Sequence, residues 1–80
     1  MWFVYILLCK DMSLYTGIST DPDRRFLEHV SQKGGHYTRA HPPIKRVYLE
    51  KIATKSAALK REHEIKSWSR QKKLLFLSDK

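Results

Sequence analysis

Residues Met1–Leu8 form an almost unbroken run of β-branched, aromatic and aliphatic side chains. Followed by the polar Lys10-Asp11-Met12, this run predicts a strand buried on both faces. Ser13–Ile18 alternates, with Leu14, Thr16 and Ile18 on one face and Tyr15 and Gly17 on the other. A connection this short makes the pair an antiparallel hairpin. A helix comes next: Thr20 or Asp21 caps it, Pro22 suits its first turn and Asp23 complements its dipole. It is expected to run to His29–Ser31, with Phe26, Leu27 and Val30 as its core contacts. Gln32–Pro43 reads as a loop punctuated by Gly34-Gly35 and Pro42-Pro43. Ile44–Ile52, with Val47, Tyr48, Leu49 and Ile52, predicts a third strand. Thr54 or Ser56 opens a long helix to about Ser69, its apolar side marked by Ala58, Leu59, Ile65 and Trp68. Arg70–Leu77 predicts a short final helix. The order β-β-α-β-α-α describes a single α+β domain over residues 1–80, a three-stranded antiparallel sheet flanked by helices.

Within that frame several polar residues fall in unusual places. A three-residue turn pairs Cys9 with Ser13, and therefore Leu7 with Tyr15 and Tyr5 with Gly17. Directly opposed residues share a face, so Tyr5 and Tyr15 become diagonal neighbours beside the bare backbone of Gly17. A two-residue turn would separate them, and two such aromatics are also ordinary core material. Arg25 and His29 lie one turn apart on one face of the first helix, which starts directly after the second strand and can aim that face at the tyrosines. Glu62 lies three residues after Leu59 and three before Ile65, inside the apolar stripe of the long helix. A carboxylate there needs a partner. The alternatives are a salt bridge to a core arginine such as Arg25, or a metal ion in a cleft, since carboxylate oxygen is a natural Mg²⁺ ligand.

Charge adds a partner class. Sixteen Lys and Arg against eight Asp and Glu give a net +8 and a pI near 9.9. Most of the excess lies in residues 41–80, which hold eleven basic and four acidic side chains. Such a field attracts phosphate backbones, which Lys45, Arg46 and Lys66 can track; a solubility charge is the plainer alternative. The single cysteine, Cys9, excludes an internal disulfide and a cysteine-based zinc site. It closes an apolar run, reads as a small core residue, and fits a reducing, cytoplasmic setting. Trp2–Cys9 is too short to span a bilayer and lacks the flanks of a signal peptide, so no membrane role is expected.

Taken together, these residues resemble the GIY-YIG nuclease superfamily, in particular its small stand-alone bacterial members. Phe3-Val4-Tyr5 and Tyr15-Thr16-Gly17 are similar to the two motifs that name the family, with the tyrosines ten residues apart as it requires. Arg25 and His29, in Asp21–His29, resemble the family's helix segment, and Glu62 its metal-binding glutamate. Gly34–Arg39 looks like the loop of the stand-alone proteins. The likeness covers nearly the whole chain, although the late asparagine of some relatives has no counterpart, since the chain contains no Asn. The resemblance implies a DNA endonuclease, on structured, damaged or single-stranded substrates and with RNA as a second candidate, or else a non-catalytic binding module that keeps the fold. It implies one Mg²⁺ or Mn²⁺ on Glu62, Tyr15 as proton acceptor, and Arg25 holding the scissile phosphate. Tyr5 would position the phosphate or water, and His29 would relay a proton. Tyr37, Arg39, Lys45, Arg46 and Lys66 would contact nucleic acid, and the unit would act as a monomer or weak homodimer.

Overall fold

The computed structural model describes residues 1–31 and 40–79. Strands β1 (Trp2–Cys9), β2 (Leu14–Ser19) and β3 (Pro43–Ile52) form one antiparallel sheet in the order β2-β1-β3. Helix α1 (Pro22–Val30) follows β2, and α2 (Lys55–Lys66) and α3 (Arg70–Ser78) follow β3. The expected α+β architecture is therefore present. Strand β1 takes the centre because it alone is apolar on both faces: Val4, Tyr5, Ile6 and Leu7 are each at most 2% exposed.

The hairpin turn sets the geometry that matters later. Cys9 N–H donates to Ser13 O and Met12 N–H to Cys9 O, both at 2.9 Å. Met12 closes the turn at φ 70, in the left-handed region. The carboxylate of Asp11 accepts from the backbone and hydroxyl of Ser13, and its other oxygen meets the imidazole of His41. Those bonds hold the Asp11 carboxyl at about 2, below its ordinary range. The resulting register places Tyr5 opposite Gly17 and Leu7 opposite Tyr15, as the three-residue turn required.

One face of the sheet packs on α2 and α3. Val4 and Ile6 join Ala58 and Ile65 at its centre, with Trp2, Leu14, Ile18, Tyr48, Ile52, Trp68 and Leu77 around them. Two expectations need correcting. Leu59 is 46% exposed, because the inward stripe of α2 runs through Ala58, Arg61, Glu62 and Ile65 instead. Arg61 fills its place by ion pairing: its guanidinium lies 3.0 Å from Glu50 and 2.9 Å from Glu64, and stacks near Trp68 and Phe76. Helix α2 also ends at Lys66 rather than near Ser69, since Ser69 accepts from Lys72 N–H and caps α3.

The other face is covered by α1, and here too the expected contacts differ. Leu27 and Val30 are 67% and 48% exposed. The helix instead turns Pro22, Arg25, Phe26 and His29 inward, a stripe at helical spacing in which polar residues occupy the apolar places. Of the stretch expected as a loop, Pro43 already pairs with Cys9 in the sheet, while residues 32–39 lie outside the described residues.

Thr16 faces the α2 side of the sheet at 2% exposure, and its hydroxyl has no hydrogen-bond partner among the described residues. An unpaired buried hydroxyl is destabilising by about 1–3 kcal/mol. Thr16→Val keeps the shape and removes the hydroxyl, so the variant is expected to be about 1 kcal/mol more stable. For a domain of this size that raises Tm by about 4–8 °C, which a thermal melt reads directly.

Candidate active site

Gly17 makes the first contact of the site possible. With hydrogen in place of a side chain, the Tyr5 ring lies directly over the β2 backbone: a Cβ at position 17 would sit 2.5 Å from the Tyr5 hydroxyl and 2.7 Å from Cζ. Tyr15, the diagonal neighbour, brings its ring centroid to 6.4 Å from that of Tyr5, on the same face. His29 closes the triangle from α1. Its ring centroid is 6.0 Å from Tyr5 and 5.3 Å from Tyr15, and its Nε2 lies 3.0 Å from the Tyr5 hydroxyl.

The electrostatics give these groups different states. His29 is fully buried, and burial, seconded by the charge of Arg25, holds its pKa below the ordinary value. The imidazole is therefore held toward its neutral form, and its Nε2 and the Tyr5 hydroxyl share one hydrogen bond whose donor is set by the ring tautomer. Burial, and then the nearby Tyr15, push the Tyr5 phenol up to about 12; hydrogen bonding and charge from Arg25 oppose the rise, and the charge of Glu62 adds to it. Tyr5 is accordingly a protonated phenol near neutral pH, hydrogen-bonded to His29.

Arg25 has a partner that sequence reasoning did not single out. Its Nη1 donates to Glu28 at 2.9 Å, with Arg24 a further 3.6 Å contact to the same carboxylate. The signal was present: Glu28 lies three and four residues beyond the two arginines, within reach on one helix face. Beside them opens a small hollow of about 170 Å³ lined by Ser19, Thr20, Asp21, Arg24, Arg25 and Glu28. Arg25 is a third exposed there, so the remaining donors of its planar fork can meet a ligand.

Glu62 arrives from α2. Its side chain is 19% exposed, neither sealed in the core nor free in solvent. Its ion pair is with Lys66, 3.3 Å away on the next turn, and not with Arg25. Lys66 thus belongs beside the glutamate. Lys45 and Arg46 sit elsewhere, on β3 across α1 from the hollow, where Arg46 bonds Asp23 at 2.9 Å. Tyr37 and Arg39 lie outside the described residues. Cys9 is a buried free thiol, as expected of a core residue. Among the described residues no helix is long and apolar enough to cross a membrane.

Two tyrosines, a histidine and an arginine therefore meet on one face of a small sheet, while Glu62 stands on α2, which packs on the other face. A family model described as the GIY-YIG catalytic domain matches residues 1–74. A UPF0213 protein of Staphylococcus saprophyticus is 49% identical over 77 residues, covering 96% of this chain and 94% of that protein. Another, from Haloquadratum walsbyi, is 54% identical over 71 residues, covering 89% of this chain and 80% of that protein. A solution NMR structure of a UPF0213 protein from Bacillus halodurans superposes with a TM-score of 0.64 at 46% identity, covering all of this chain and 86% of that one. The sheet order, the paired tyrosines and the length of these matches lead to one conclusion: the chain belongs to the GIY-YIG domain family.

Proposed function

We propose that this protein is a metal-dependent endonuclease that hydrolyses phosphodiester bonds in DNA. The observation that carries the reading is the gathering of Tyr5, Tyr15, Arg25 and His29 on one face of the sheet. Phosphodiester hydrolysis needs a positioned water, a group to take its proton, and positive charge at the phosphate. In this reading Arg25 holds the phosphate with the donors that Glu28 leaves free. Tyr5, protonated and fixed by His29, orients the phosphate or the attacking water through its oxygen. Tyr15, half-buried beside them, takes a proton from the water as its own hydroxyl proton passes to the neighbouring imidazole of His29.

The family implies a divalent cation, and the residues suit one. Glu62 presents a single half-buried carboxylate, and among the described residues no three His, Cys, Asp or Glu side chains gather as a protein cage. One carboxylate is what Mg²⁺ or Mn²⁺ commonly takes from a protein when substrate phosphate and water supply the rest. When bound, such an ion polarises the phosphate and stabilises the leaving oxygen.

A second reading, a nucleic-acid-binding module without cleavage, draws on the internal pairing of both key charges: Arg25 with Glu28 and Glu62 with Lys66. Supercoiled plasmid decides between the two. The nuclease is expected to nick it with Mg²⁺ or Mn²⁺ and to stop when a chelator is added. Binding that weakens steeply with salt, without cleavage of linear, flapped, branched or single-stranded DNA or of RNA in either metal, identifies the module.

A further inference from the structure

Helix α1 is a ridge with an opening on each flank. On one flank is the hollow beside Arg25; on the other is a larger cleft of about 440 Å³ between α1 and the start of β3. Asp23, Phe26, Leu27, Ile44, Lys45 and Arg46 line it. Its floor is apolar, with the Phe26 ring half-buried and Leu27 and Ile44 67% and 52% exposed. At its mouth Lys45 is exposed, and Arg46 neutralises Asp23 by an ion pair at 2.9 Å. No core requirement explains Leu27 and Ile44 left open beside the half-buried Phe26 ring and an exposed lysine.

We propose that this cleft receives one unpaired nucleobase from the same strand whose phosphate Arg25 holds, an inference that rests on the nucleic-acid reading above. Three features select this occupant. The first is chemistry: a base is an apolar disc with polar edges, and the cleft offers an aromatic ring with aliphatic walls for the disc and the Asp23–Arg46 pair for the edges. The second is charge: a strand entering here meets Lys45 and the net +8 of the chain, whereas an apolar peptide gains nothing from either. The third is position. Arg25 and Phe26 are consecutive on α1, so the two openings are separated by about one helix width, 10–12 Å. A strand crossing the ridge can place a phosphate on one side and a neighbouring base on the other. Bases become available in this way only where they are not paired, so the cleft directs the protein to single-stranded, branched or damaged positions.

The test uses the whole chain with two fluorescent single-stranded oligodeoxynucleotides of equal length, one intact and one carrying abasic sites at its centre. Binding is read by anisotropy in chelator, so that no strand is cut. Both strands carry the same phosphates. The intact one is expected to bind roughly 5- to 100-fold more tightly, the range for one base on an aromatic platform. Leu27→Ser and Ile44→Ser change exposed side chains, so both are expected to fold, which a thermal melt confirms. Each should abolish the preference for the intact strand while leaving the affinity for the abasic strand and its salt dependence unchanged. Equal affinity for both strands in the parent protein overturns the cleft but leaves the nuclease reading intact. Failure to bind or cut any nucleic acid overturns both. Serine variants that turn a dimer into a monomer, with the base preference unaltered, show a second copy of the chain to be the occupant and overturn the proposal.

Discussion

Replacing Glu62 by glutamine is expected to lower the rate of Mg²⁺-supported plasmid nicking by about 10²-fold or more, the scale on which loss of one preorganised charge acts at a phosphate. The substitution is nearly isosteric, and the ion pair it removes joins Glu62 to a lysine that is 51% exposed, so little stability should be lost. Arg25→Lys is expected to follow the same course for a different reason. Lysine keeps the positive charge but cannot span Glu28 and a phosphate with one planar fork. The pair of variants thus separates charge from geometry at the two ends of the site. Unchanged melting curves with nicking lost in both would support the reading. Glu62→Gln that nicks at the parental rate even at limiting metal would remove the glutamate from the mechanism.

Gly17→Ala is expected to damage fold and site together. The backbone at Gly17 has an ordinary φ, so the requirement is not conformational. It is a matter of space: the new methyl would meet the Tyr5 hydroxyl at 2.5 Å, Cζ at 2.7 Å and Cε1 at 3.1 Å. The ring has little freedom to move, being 2% exposed and tied to His29. Overpacking of this kind destabilises by about 1–3 kcal/mol. For a domain of this size the melting point should fall by roughly 4–8 °C per kcal/mol. Cleavage should fall further than stability explains, because the displaced phenol is the group placed between His29 and Arg25. A double-mutant cycle supplies the control: in a Tyr5→Leu background the alanine should cost much less, since the ring it strikes is gone. An equal penalty in both backgrounds would mean that Gly17 serves some purpose other than admitting the ring.

The route from sequence to this site was unequal in its parts. The hairpin was legible because side chains alternate with period two and the turn is short; of the two registers left open, the three-residue turn is the one adopted, and it puts both tyrosines on one side beside Gly17. The elements around it were legible for similar reasons: caps at Asp21 and Thr54, an apolar central strand, and a basic half of the chain. The bounds of helix α1 and the aim of its Arg25–His29 face were legible too, but its apolar contacts were not, and the reason is physical. Hydrophobic periodicity finds the face that meets a core, but the inward face of α1 meets the Tyr5–Tyr15 pair, so Arg25 and His29 sit where apolar residues are sought. Leu27 and Val30 drew the eye to the wrong side. The same bias promoted Leu59 over Arg61, which pairs with Glu64 one turn on but is also held by Glu50 and the Phe76 ring brought from other elements. No pattern within α2 alone announces partners that distant.

The central position of Tyr5 also governs how the molecule can respond to a substrate. Strand β1 is hydrogen-bonded along both edges, to β2 and to β3, and its middle residues are sealed from solvent. Its amide protons should therefore exchange with deuterium only through opening of the entire domain, on the slowest timescale the protein has. The tyrosine is an anvil rather than a moving part. Whatever adjustment accompanies binding falls to the half-exposed arms around it, where Arg25 and Glu62 can release their resting partners one side chain at a time.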